Sequence, residues 1–324
     1  MAVYTEVSFD EAAALVDTLG IGALTELKPC SGGIENTNYF ADTTRGRYVL
    51  TLFERLSAQE LPFYLRLMKH LAERGIPVPG PKADASGAIL HWLHGKPAAV
   101  VDRLPGRHPL APSVAQCASV GGMLARMHLA ARDFGMHQPN LRGLPWWTAT
   151  VPVVLPFLAP AQQTLIQSEL AYQQRLAGSA EFAGLPRGPI HADLFRDNVM
   201  FEGERLTGLF DFYFAGVDTC LFDMAVCLND WCIADASGQL ATDHAHAFVM
   251  AYDGVRRLSD DEIRLLPAAL RAAALRFWVS RLWDLHLPRD ARVLKPHDPI
   301  HFERVLRARL DSPWHFARPE LKAP

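Results

Sequence analysis

Apolar positions in this chain recur at helical spacing, then alternate in short runs, then return to helical spacing for most of the remaining length. Residues 10–19 carry apolar side chains at helical intervals, and Gly20 and Gly22 close that segment. Residues 27–30 and 38–41 predict strands on either side of the turn Ser31-Gly32-Gly33-Ile34-Glu35-Asn36. Residues 47–53 predict a further strand, rich in β-branched and aromatic side chains. Residues 57–74 predict an amphipathic helix with Leu61, Leu65, Met68 and Leu71 on one face. The Gly- and Pro-rich run 75–81 breaks the chain, and residues 88–93 and 98–104 predict a hairpin. Beyond Pro105-Gly106 the pattern is helical over 115–131, 161–176, 222–234, 241–252 and 259–287, with only short strands in 189–211. The fold class predicted is α+β and bilobal. A small N-terminal antiparallel sheet lobe covers 1–104, and a large, mainly helical C-terminal lobe covers 105–324.

Composition narrows the class of protein. At 324 residues, 49% of them hydrophobic, the chain can fill two cores. A net charge of −3 and a pI near 6.5 argue against nucleic acid or an anionic membrane as the main partner. The N-terminal residues lack the basic start and apolar run of a secretory leader, and no stretch matches a membrane span. The five cysteines are odd in number, widely spaced and form no Cys-x-x-Cys, which suits reduced thiols and a cytoplasmic location.

The chemistry concentrates in His191-Ala192-Asp193-Leu194-Phe195-Arg196-Asp197-Asn198, followed by Asp211 in Leu209-Phe210-Asp211-Phe212. Asp193 and Asn198 are five positions apart, and Asp211 follows thirteen later. A kinase catalytic loop has this spacing: one carboxylate accepts the proton of an acceptor hydroxyl, while an amide oxygen and a second carboxylate hold Mg²⁺ against the ATP phosphates. Mg²⁺ prefers hard oxygen ligands, which Asn198 and Asp211 supply. Asp and Asn are also ordinary loop residues, but turn formation accounts for them one at a time, not for three at this spacing between apolar strand residues.

Other motifs carry weaker signals. Ser31-Gly32-Gly33 is either a hairpin turn or a backbone cradle over phosphates. No G-x-x-x-x-G-K-[ST] occurs, which disfavours a P-loop kinase. Residues 100–106 link the lobes, and their backbone can also pair with an adenine edge. His128, on an apolar helix face, is expected as a hydrogen-bonded core histidine. Asp223 opens an apolar helix either as its cap or as a buried brace to His191 and the catalytic-loop backbone, and the brace is preferred. Arg271, Arg276 and Arg281 recur every five residues, so only some can share a face, and surface charge is the default for them.

The catalytic-loop residues resemble the aminoglycoside phosphotransferase/choline kinase superfamily, with its protein-kinase-like bilobal fold. More narrowly, Ser31–Tyr39, Tyr48–Glu54 and Leu228–Cys232 resemble the homoserine kinases of that fold, and the likeness runs over nearly the whole chain. The resemblance implies an ATP- and Mg²⁺-dependent kinase for the side-chain hydroxyl of L-homoserine, in threonine biosynthesis. It implies Asp193 as catalytic base and Asn198 and Asp211 as metal ligands. It places Ser31, Gly32 and Gly33 over the phosphates and Val101 to Arg103 at the adenine. His191, Arg196 and Asp223 would support the loop. Thr51 stands where related kinases carry a phosphate-pairing Lys, with Arg196 a candidate to replace that cation. Asp211-Phe212-Tyr213 replaces Asp-Phe-Gly, and no activation segment is recognisable. An amino-acid acceptor needs a carboxylate for its ammonium and an Arg for its carboxylate, and Asp230 and Arg281 are the expected pair. Two alternatives stand beside this reading: a kinase of another amino alcohol such as choline or an aminoglycoside, and a pseudokinase used as a binding module.

Overall fold

The computed structural model describes residues 4–30, 36–234, 237–287 and 297–318. They form two compact units, the first built from residues 4–106 with 207–210, the second from residues 107–206 and the described residues from 211 onward.

In the first unit, helix α1 (Phe9–Thr18) begins at a capping box, with Ser8 Oγ accepting Glu11 N–H and the Glu11 carboxylate accepting Ser8 N–H. Five strands follow: β1 (Leu24–Pro29), β2 (Thr37–Thr43), β3 (Arg47–Leu52), β4 (His91–Leu93) and β5 (Lys96–Asp102). They pair antiparallel in the order β1-β2-β3-β5-β4. Alternation sends Tyr39, Ala41, Tyr48, Leu50, Leu52, Ala98 and Val100 to one face, where Ala12, Leu15 and Val16 of α1 cover them. The β4–β5 turn is His94-Gly95, both at positive φ, as a two-residue hairpin turn of the right twist requires. Helix α2 (Leu61–Glu73) buries Leu61, Leu65, Met68 and Leu71. Leu209 N–H to Pro77 O (2.8 Å) and Thr207 Oγ1 to Pro105 O (2.6 Å) tie 207–210 into this unit.

The second unit contains α3 (Val114–Ala130), α4 (Leu144–Val154), α5 (Pro160–Ala177), the short α6 (Ala180–Ala183), α7 (Cys220–Trp231), α8 (Thr242–Val255), α9 (Asp260–His286) and α10 (Ile300–Asp311). The central element is α9, with 14 buried residues along its 27, and α4, α5, α7 and α10 all meet it. α3 and α8 approach so closely that a Cβ on Gly121 would sit 2.2 Å from Phe248 O. Strand β6 (Arg187–Ile190) pairs antiparallel with β9 (Gly216–Thr219), and β7 (Val199–Glu202) pairs with β8 (Arg205–Leu209).

Three differences from the sequence pattern have local causes. Residues 57–60 are a turn, not helix, because the Glu60 carboxylate folds back on Ser57 N–H and Oγ. Helix α4 was not expected: its sequence is apolar on most sides and interrupted by Pro152, so it shows no amphipathic stripe. α10 was not expected either, although Phe302, Val305, Leu306 and Arg309 form its buried stripe.

Candidate active site

The loop after β6 is held chiefly by one face of α7. Asp223, Asp230 and Trp231 are seven and eight positions apart, which places them on the same side of a helix. The buried Asp223 carboxylate accepts Ala192 N–H through Oδ1 (2.7 Å) and His191 N–H through Oδ2 (2.9 Å). Asp230 Oδ2 accepts Arg196 N–H (2.7 Å) and Arg196 Nε–H (3.3 Å), and Trp231 Nε1–H donates to Leu194 O (3.0 Å). The helix cap is Thr219, which receives Phe222 N–H, so Asp223 belongs to the loop and not to the helix end. These bonds hold Ala192 at φ 64°, a left-handed conformation that disfavours a non-glycine residue.

The loop also braces itself. Asn198 Nδ2–H donates to Asp193 O (2.8 Å), which commits the amide nitrogen and turns Oδ1 away as the oxygen left for a cation. Asp193 N–H donates to His191 Nδ1 (3.3 Å), and the His191 ring lies 4.5 Å from that of Phe212. The Phe195 ring packs tilted against that of Phe277 of α9 (4.5 Å). Asp211 sits at φ 66°, ψ 59°, at the head of the short 3₁₀ turn Phe212–Phe214.

His128 of α3 lies behind Asp223 and is buried. Burial opposes its charge, yet Tyr252, Cys220 and Asp223 hold its pKa well above the ordinary value. As an imidazolium it donates Nε2–H to Asp223 Oδ2 (2.9 Å) and Nδ1–H to Tyr252 Oη (2.7 Å). Asp223 is lowered in turn: burial opposes its charge, but the His128 hydrogen bond and charge prevail. Burial drives the Asp193 carboxyl up to about 8; Arg276 opposes the rise, while Asp211, Asp197 and Asp230 reinforce it. Asp230 is raised chiefly by burial, against the pull of Arg196.

The arginines of α9 differ from the surface role expected of them. Arg276 is 3% exposed, with its guanidinium over Phe277 (3.8 Å) and near Phe214 (5.2 Å). Arg271 grips the buried Glu169 through Nε (3.0 Å) and Nη2 (2.5 Å). Charge in a sequence pattern reads as solvent-facing, but stacked rings and a buried carboxylate compensate these two. Arg281 donates Nη1–H to Asp298 O (3.0 Å) and lies on Phe302. Asn229 joins α7 to its neighbours: Nδ2–H donates to Leu270 O (2.7 Å) and Oδ1 accepts Arg309 Nε–H (3.0 Å). Only the polarity of Asn229 within an apolar helix hinted at that role in the sequence.

In the first unit, Thr51, Val101 and Arg103 lie on the sheet face opposite α1. Thr51 Oγ1 donates to Asn38 Oδ1 (2.7 Å). Arg103 N–H donates to Arg47 O (3.0 Å), and its guanidinium covers Phe40 (3.8 Å). Ser31, Gly32 and Gly33 lie outside the described residues.

The phosphotransferase enzyme family matches residues 26–259. The homoserine kinase of Polaromonas naphthalenivorans is 65% identical over 314 residues, 97% of this chain and 99% of that protein. The homoserine kinase of Ralstonia nicotianae is 56% identical over 320 residues, 96% of each. Among solved structures, the amicoumacin kinase hAmiN in complex with AMP-PNP, Ca²⁺ and Ami superposes with a TM-score of 0.67 at 17% identity, covering 94% of this chain and 93% of that one. The choline kinase LicA from Streptococcus pneumoniae gives 0.60 at 16%, covering 93% and 98%. At such identities the structural likeness is one of fold, the protein-kinase-like one expected.

Proposed function

The chain belongs to the phosphotransferase enzyme family, and from that premise we propose that it transfers the γ-phosphoryl group of ATP to the side-chain hydroxyl of L-homoserine, a step of threonine biosynthesis. The observation that carries this reading is the 65% identity, over nearly the full length of both chains, to a protein bearing that activity in its name.

The roles follow from the loop. Asp193 hydrogen-bonds the acceptor hydroxyl and takes its proton as the oxygen bonds to the γ-phosphorus. The bond from that phosphorus to the bridging β-phosphate oxygen breaks, the electron pair leaves with ADP, and the proton on Asp193 passes to solvent. An ordinary carboxylate is a weak base, and the sheltered Asp193, raised to about 8, is a stronger one. Mg²⁺ fits the donor set at Asn198 Oδ1 and Asp211, both hard oxygens, and when bound it neutralises charge on the phosphates. Two protein ligands suffice, because this ion takes its remaining ligands from phosphates and water. Asp223 and His191 hold the loop that carries Asp193, and Asp230 holds Arg196. Ser31 to Gly33 cover the phosphates, Val101 to Arg103 flank the adenine, and Thr51 lies on the same sheet face as Val101. Of the two groups first expected to meet the acceptor's charges, Asp230 has Oδ2 engaged with Arg196, leaving Oδ1 for the ammonium, and Arg281 has Nη1 engaged with Asp298. A cytoplasmic setting is part of the proposal, supported by five buried cysteines with free thiols. No helix among the described residues is long and apolar enough to cross a membrane.

One screen tests the reading: ADP release with Mg-ATP against homoserine, choline, methylthioribose and kanamycin. Homoserine should exceed the others in kcat/KM by ~10³-fold or more, because a site built for both charged ends rejects acceptors lacking them. A higher kcat/KM for choline or kanamycin overturns the acceptor, and no turnover with any of them leaves a binding module.

A further inference from the structure

Arg276 is the least explained charge in the second unit. The residue is 3% exposed, yet among the described residues its buried Nε and Nη2 meet no hydrogen-bond acceptor. A buried polar group in that state normally has a partner. Nε–H and Nη2–H are the two parallel donors of one guanidinium edge, the fork that matches both oxygens of a carboxylate. Phe277 at 3.8 Å and Phe214 at 5.2 Å fix the plane of that fork, so little side-chain freedom is lost when an anion docks.

Placement sets this arginine beside the catalytic loop, because Phe195 of the loop packs at 4.5 Å on Phe277, the next residue of α9. The charges acting on it most are Asp193, Arg142, Asp284 and Arg281, and Arg276 is in turn the cation that acts most on Asp193. Asp193 faces the acceptor hydroxyl in the proposed reaction. In homoserine the hydroxyl oxygen and the carboxylate carbon are four bonds apart, roughly 5 Å when extended. An acceptor with its hydroxyl on Asp193 therefore carries its carboxylate within reach of residues around that side chain.

We propose that Arg276 is the acceptor-carboxylate residue, taking the α-carboxylate of the amino-acid substrate on its Nε–Nη2 edge. The assignment rests on homoserine being the acceptor, and it gives to Arg276 the role expected of Arg281, which is already engaged by Asp298 and Phe302.

The test pairs homoserine with 3-amino-1-propanol, which is homoserine without its carboxylate. Wild type should prefer homoserine by ~10³-fold or more in kcat/KM. Arg276→Lys keeps the charge without the fork, and Arg276→Gln removes the charge. Each should lower kcat/KM for homoserine by ~10²-fold or more beyond its effect on 3-amino-1-propanol, an effect that Arg276→Gln carries through Asp193, and should leave the KM for ATP within about three-fold. Retained turnover of the decarboxylated acceptor also shows that the variant is folded. An equal fall for both acceptors means that Arg276 acts only through Asp193, and this overturns the assignment. If wild type shows no preference, homoserine itself is the wrong acceptor and the assignment falls with it. A crystal structure of the wild-type enzyme with homoserine and a non-hydrolysable ATP analogue decides the matter if the variants do not fold. It should show the carboxylate within hydrogen-bond distance of Nε and Nη2, and a carboxylate bound elsewhere overturns the proposal.

Discussion

Replacing Asp223 with Asn changes few atoms and should have a large effect. One native carboxylate oxygen serves Ala192 N–H at 2.7 Å, and the other serves His191 N–H and the His128 ring, each at 2.9 Å. An amide keeps one acceptor and turns its NH₂ toward the remaining donors, so at least one of the three interactions becomes a donor–donor contact. Hydrogen bonds to a charged group contribute about 1.5–3 kcal/mol each. The His128 imidazolium also loses its counter-charge in a buried site, where breaking such a pair costs about 3–5 kcal/mol. The two accounts overlap and do not add, so the expected loss is about 3–5 kcal/mol. At roughly 2–4 °C per kcal/mol, the melting midpoint should fall by roughly 10 °C. The left-handed Ala192, disfavoured by about 1–2 kcal/mol, then relaxes and takes Asp193 with it. Misplacement of that size lowers kcat by ~10²-fold. Circular-dichroism melts and an ADP-coupled assay on the same preparation measure both effects. A variant melting within 2 °C of wild type, as set by ~0.5–1 kcal/mol on the same scale, and turning over at half its rate or better would show that the loop is held by something else.

Asp193→Asn should lower kcat by ~10²-fold or more while Mg-ATP still binds, and near-normal turnover in a folded variant removes Asp193 from the mechanism. Only the ionised base accepts a proton, so in wild type kcat/KM for the acceptor should climb as pH rises through about 8 and then level off. A flat profile from pH 6 to 9, on the ordinary scale of a carboxylate with pKa about 4, would show an unshifted carboxylate. Asp211→Ala should abolish Mg-dependent turnover and weaken Mg-ATP binding, and calorimetry showing unchanged affinity counts against its role as a ligand. Gly121→Ala should destabilise by about 1–3 kcal/mol, because its Cβ meets Phe248 O at 2.2 Å. Gly122→Ala, next along the same helix with nothing closer than 3.9 Å, should be neutral or gain up to about 1 kcal/mol, and equal melts for the two variants would refute the close approach of α3 and α8.

The parts of this fold that a linear pattern reveals are those with one dominant cause. Alternation in 37–52 fixes which residues meet α1, and the Asp193–Asn198–Asp211 spacing follows from the chemistry those atoms would perform. Where two causes compete, the pattern fails. Pro152 argues against a helix that packing against α9 and α5 nevertheless supports. Arg271, Arg276 and Arg281 share one spacing rule but meet three environments: a buried Glu169, two phenylalanine rings, and Asp298 O with Phe302. Helical phase alone cannot say which of three charges turns inward, since Glu169, Phe214, Asp298 and Phe302 all lie outside the helix. Asp230 and Trp231 are likewise legible only once α7 is seen to run beside the loop.

That arrangement has an evolutionary consequence. The phosphoryl-transfer loop takes its shape from α7, backed by His128 of α3, whereas Arg276 comes from α9. The bonds that shape the loop backbone come from α7, so a change at position 276 leaves them in place, and a descendant can lose one acceptor and gain another while its chemistry stays intact. A lineage under selection for a new hydroxyl substrate should accumulate changes around position 276 long before any appear at 223, 230 or 231.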